Sequence, residues 1–93
     1  MRVVAGPTSV YVHDEGNEGL TGTVTLATSH GSIHIWDRYE PPMFQFDLYS
    51  CTVFSPEEVI SHLNEFDLIS YEYILLDRNN SPKITDSRSK QIK

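Results

Sequence analysis

Ninety-three residues carrying 13 acidic and 7 basic side chains, a formal charge of −6 and 39% hydrophobic residues describe one small domain. The acidic balance argues against nucleic-acid backbone binding, which needs clustered Lys and Arg, and no apolar run approaches the roughly 18 residues of a membrane span. Cys51 is the single cysteine, which excludes an intramolecular disulfide and suits a reducing compartment; with no signal-peptide pattern in the first residues, the expected location is the cytoplasm.

Residues 2–5 are extended and β-branched until Gly6 and Pro7 interrupt them, and residues 9–13 are a second extended piece or a continuation of the first. Residues 14–19 are a turn by composition. Residues 20–28 (LTGTVTLAT) are the clearest strand, with alternating threonine and aliphatic character. Gly22 inside it marks a bulge or a close backbone approach. His30 and Gly31 are the expected reversal, and residues 32–37 the next strand. Pro41 and Pro42 assign residues 38–42 to a loop, and a strand over 43–51 follows. Ser55, Pro56 and Glu58 read as N-cap, N1 and N3 of a helix with a capping box. Val59, Ile60, Leu63 and Phe66 continue it at helical spacing to about Phe66, and residues 69–77 form a last strand. Residues 79–93 hold few large apolar groups and are expected as a flexible polar tail after a single domain spanning 1–78.

Three strands with short connections predict an antiparallel meander. One helix over one face makes the expected fold α+β, a two-layer α/β sandwich with a mainly antiparallel sheet. So small a core favours a homo-oligomer, a dimer or higher. Side chains alternate along a strand. Ser32, His34 and Trp36 therefore share one face, and Ile33 and Ile35 the other. On the following strand Phe44, Phe46 and Leu48 oppose Gln45, Asp47, Tyr49 and Cys51. The apolar face is expected under the helix. The polar face, with His34, Asp47, Tyr49 and Cys51, is left for solvent, a partner or a pocket.

A hydroxyl at Ser29, an imidazole at His34 and a thiol at Cys51 on adjoining strands make a candidate reactive cluster. Singly, each has an ordinary explanation. A serine at a strand reversal is a turn residue, a strand histidine is a hydrogen-bonded side chain, and a lone cysteine is a small hydrophobe. Other chemistries fit less well. His13, His30, His34 and His62 are dispersed, without zinc-ligand spacing, so no metal is expected. There is no Gly-x-Ser-x-Gly elbow and no glycine-rich phosphate loop.

The order of these residues resembles the small prokaryotic, pyruvoyl-dependent S-adenosylmethionine decarboxylases. The matching elements are Leu20-Thr21-Gly22, Ser29-His30, Ile33-His34-Ile35-Trp36-Asp37 and Asp47-Leu48-Tyr49-Ser50-Cys51. The resemblance implies self-processing at Ser29. The chain would be cut between Thr28 and Ser29, leaving a pyruvoyl group at the head of the second chain. By the same resemblance His34 assists processing, Thr21 stands where the family has a helping serine hydroxyl, and Cys51 returns a proton to the substrate carbon. A carbonyl of this kind condenses with the substrate amine and acts as an electron sink, and a nearby acid completes the chemistry. Trp36, Asp37, Glu40 and Tyr49 are the groups able to receive a sulfonium substrate. The implied activity decarboxylates S-adenosylmethionine for polyamine (spermidine) synthesis. The alternatives are another amino acid such as arginine or ornithine, or an unprocessed member that binds a ligand or partner without catalysis. Three departures stand out: Thr28 replaces the family's usual glutamate, the connection over residues 38–42 is longer than the family's, and the family's first strand and helix have no counterpart here.

Overall fold

Threonine alternating with aliphatic residues builds the centre of the first sheet. In the computed structural model, which describes residues 2–79 and 82–93, the chain divides into two units, Met1–Val53 and Phe54–Lys93. The first holds β1 (Val3–Val12), β2 (Gly19–Leu26), β3 (Ser29–Trp36) and β4 (Met43–Tyr49), an antiparallel meander in that order. The second holds α1 (Pro56–Leu63), a 3-10 turn (Asn64–Phe66) and a hairpin of β5 (Ser70–Asp77) and β6 (Lys83–Gln91). The class is the α+β one expected, antiparallel sheets with one short helix. Among the described residues, no helix is long and apolar enough to cross a membrane.

Several elements differ from expectation. Gly6 and Pro7 do not end the first strand. β1 runs through them with register shifts on either side of Ala5, and Gly6 takes φ 87°, so the interruption is a bulge. The reversal after β2 lies at Ala27 and Thr28, three residues before His30 and Gly31. Gly31 sits inside β3, paired with Val24 and Leu48 rather than in a turn, and an added Cβ would make only ordinary contact with Val24 Cγ1 at 3.4 Å. The helix stops at Leu63 and tightens into the 3-10 turn before Phe66. Its capping box does not form: Ser55 Oγ donates to Glu57 Oε2 at 2.8 Å, while the Ser55 carbonyl accepts from the Glu58 and Val59 amides.

Most of the expected polar tail is a strand. β6 pairs with β5 from Lys83 opposite Asp77 to Gln91 opposite Ser70, with one register shift. Cross-strand pairing thus orders a segment too polar to carry an apolar signal. Tyr73 OH donates to Asp86 Oδ2 at 2.9 Å across this pair. Asn80 and Ser81 lie outside the described residues.

The register of the first sheet sorts its faces. His34 lies opposite Thr21 and Gln45, Ser32 opposite Thr23 and Asp47, and His30 opposite Thr25 and Tyr49. That is the polar face. Leu20, Val24, Ile33, Ile35, Phe44, Phe46 and Leu48 form the other, and Phe46 stays 38% exposed. Leu68 is the buried hydrophobic side chain among the described residues, and Ser29 the buried polar one.

Close approach constrains β2 at its start. A Cβ on Gly19 would lie 2.0 Å from the Ile35 carbonyl oxygen, so Gly19→Ala must push β2 away from β3. The expected cost is about 1–3 kcal/mol, read as a lower urea midpoint; an unchanged midpoint would contradict this packing.

Candidate active site

The two ends of β3 carry different chemistry. At its start, Leu26 pairs with Ser29, so the β2–β3 hairpin closes over Ala27 and Thr28 alone. Pairing of His30 with Tyr49 brings the chain just past β4 alongside this turn. Cys51 therefore reaches Ser29 although it lies beyond the strand's end. Its amide donates to Ser29 Oγ at 3.0 Å, and its thiol is 3.9 Å from the Ala27 carbonyl oxygen. Thr28 Oγ1 donates to the same carbonyl at 2.7 Å, and Thr28 takes φ 54°. Ser29 is only 6% exposed. Tyr49 stands at this end too, its ring stacked on His30 with centroids 5.6 Å apart.

The hydroxyls of Thr28 and then Ser29, hydrogen-bonding to the Cys51 sulfur, hold its thiol below the ordinary cysteine value. Hydrogen bonds to a thiolate favour the ionised form, which makes Cys51 a stronger acid and lets its thiolate appear at lower pH than that of a free cysteine. The inflection in its alkylation rate against pH is therefore expected below that of a free thiol, and Thr28→Val should move it upward. An inflection at the free-thiol position in both proteins would contradict the assignment.

At the far end of β3, Thr21 Oγ1 lies 3.2 Å from His34 Nδ1 across the directly paired strands. The His34 and Trp36 rings are 6.1 Å apart and tilted by 41°, and Trp36 stacks on Tyr39 at 6.1 Å. Trp36 Nε1 donates to Asn17 Oδ1 at 2.8 Å, and Tyr11 OH donates to Asp37 Oδ1 at 2.9 Å. A shallow recess here is lined by Val12, Asn17, Thr21, His34, Ile35 and Trp36, among others. Glu40 is exposed on the connection between β3 and β4.

The nine singled-out residues thus fall into two clusters plus Glu40. Thr28, Ser29, Tyr49 and Cys51 gather at one end of the sheet, and Thr21, His34, Trp36 and Asp37 at the other. Ser29 and His34 are five residues apart on a straight strand, about 16 Å at the usual rise per residue. Their parities also differ, so they point to opposite faces. Asn17, Tyr11, Tyr39 and His30 join these clusters without having been singled out. Only strand register and loop course bring them in, and neither leaves a motif.

A family model described as S-adenosylmethionine decarboxylase matches residues 2–79. The chain belongs to this family. Neither a curated protein nor a solved structure gave a match. S-adenosylmethionine decarboxylases of this family depend in general on a pyruvoyl group, and the matched stretch contains both clusters. All of β6, the second strand of the second unit's hairpin, lies beyond it.

Proposed function

We propose that this S-adenosylmethionine decarboxylase family member cleaves itself between Thr28 and Ser29 and then decarboxylates S-adenosylmethionine, feeding polyamine synthesis. The observation that carries the reading is Ser29 itself: a buried hydroxyl, directly after a turn, held on the Cys51 amide. The fit to a pyruvoyl group rests on the same place. Burial keeps bulk water from Ser29, and the Cys51 amide is a donor for an oxygen formed there. When present, that group supplies a carbonyl electron sink.

The processing chemistry balances on this chain's own atoms and one water. Ser29 Oγ attacks the Thr28 carbonyl carbon; the C–O bond forms, the C–N bond breaks, and the hydroxyl proton passes to the Ser29 nitrogen. Loss of the Ser29 α-proton to a base expels the Thr28 carboxylate. Water then replaces the nitrogen, which leaves as ammonia. Cys51 is the acid that returns a proton to the substrate carbon after carbon dioxide departs. Trp36, Asp37, Glu40 and Tyr49 are the receiving groups for the sulfonium and its adenosine.

One copy of the chain does not unite Ser29 with His34. The reading is therefore that two copies pair, the Thr21–His34 pair of one completing the Ser29–Cys51 cluster of the other. The separation of the two clusters also favours a second reading, an unprocessed member that binds S-adenosylmethionine in the Trp36 recess without reacting. Carboxyl-labelled S-adenosylmethionine separates the two. Labelled carbon dioxide released by the wild-type protein, and lost in Ser29→Ala, supports the decarboxylase. Binding without release contradicts it.

A further inference from the structure

Two-residue hairpin loops ordinarily take turns with positive φ at both loop residues or at the first. Here the loop is Ala27 and Thr28, and the positive φ, 54°, falls on the second, while Ala27 is not among the residues with positive φ. The turn is therefore of a kind poorly matched to the twist of its strands. The residue placed in the left-handed region is also β-branched, a steric outlier there. Such conformations persist where the surroundings over-determine them.

The surroundings do so here. The Ala27 amide donates to the Arg2 carbonyl at 2.9 Å, which fixes the chain just before Thr28. On the other side, Ser29 is paired with Leu26 and its hydroxyl is held by the Cys51 amide at 3.0 Å. Thr28 is pinned from both sides and cannot relax alone. Its carbonyl is the one that Ser29 attacks in the processing reading.

We propose that Thr28 is a positioning residue for self-cleavage: its pinned, left-handed backbone destabilises the intact peptide between Thr28 and Ser29, and cleavage releases that strain. This rests on the processing reading. The step is the acyl shift already described, in which the amide C–N bond is exchanged for an ester C–O bond and the hydroxyl proton moves to nitrogen. No further reactant is needed.

Two substitutions separate strain from the hydroxyl. Thr28→Gly adopts positive φ freely; Thr28→Val keeps the branching and exchanges the hydroxyl for a methyl group. The full-length proteins are purified uncleaved, and the first-order rate of conversion into two fragments is followed beside the urea midpoint of the uncleaved chain. Thr28→Gly is expected to raise the midpoint and slow cleavage about tenfold, a barrier change of about 1.4 kcal/mol. Thr28→Val is expected to stay within about threefold of wild type. Equal rates for wild type and Thr28→Gly would overturn the role given to Thr28 while leaving processing intact. Equal slowing in both variants would also overturn it, since the hydroxyl would then carry the effect. A wild-type chain that stays whole would overturn the processing reading and this inference together; a higher midpoint in Thr28→Gly would then report the strain by itself.

Discussion

Ser29→Ala is expected to leave the chain whole and to lower carbon dioxide release from S-adenosylmethionine by more than about a thousandfold. Among the described residues, the neighbouring hydroxyls of Thr28 and Ser50 are already engaged. Thr28 Oγ1 is engaged with the Ala27 carbonyl, and the next side chain along β3 is His30. The variant should fold, because the Ser29 hydroxyl bonds only to Cys51, at its amide and its sulfur, and losing such a partner is worth about 1–3 kcal/mol. A folded Ser29→Ala protein that still cleaves after residue 28 would remove Ser29 from the account. Chain cleavage by electrophoresis and labelled carbon dioxide release are the two readouts, and both must fall together.

Cys51→Ala and His34→Ala are each expected to be nearly inactive alone, yet to restore activity when co-expressed. In a two-fold dimer whose site takes Ser29 and Cys51 from one copy and Thr21 and His34 from the other, mixing places both defects in one site and leaves its twin intact. Random pairing makes half of the dimers mixed, each with one whole site, so activity returns to about a quarter of wild type. The basis is geometric: about 16 Å of strand between Ser29 and His34, with opposite parity and directly paired neighbours on each side. No recovery in the mixture, with dimers demonstrably formed, would place all four residues in one copy's site and contradict the separation.

Where elements rest on side-chain pattern, the sequence was a good guide. The alternation of Thr21, Thr23 and Thr25 with Leu20, Val24 and Leu26 gave β2, and the alternating faces of β3 and β4 matched the observed register. The helix start at Pro56 was legible from Ser55 and proline chemistry, although Ser55 uses its hydroxyl on Glu57 instead of the backbone. Three features were not legible, each for a physical reason. The turn at Ala27 and Thr28 contains no turn-forming residue, and Gly31, which looked like one, is a paired position inside β3. β6 is polar on both faces and is specified by pairing with β5 rather than by burial. The division of the site into two ends depends on where β3 begins. Moving the reversal three residues earlier places Ser29 inside the strand rather than before it, five strand positions from His34 and on the opposite face.

The central claim is that Ser29 becomes the head of a second chain. The intact mass of the purified, incubated protein tests it most directly. Two fragments are expected, one ending at Thr28 and one beginning at residue 29, the latter lighter by one ammonia than a chain starting with serine. A single unmodified 93-residue chain, or a second fragment that retains its serine amine, would contradict the account.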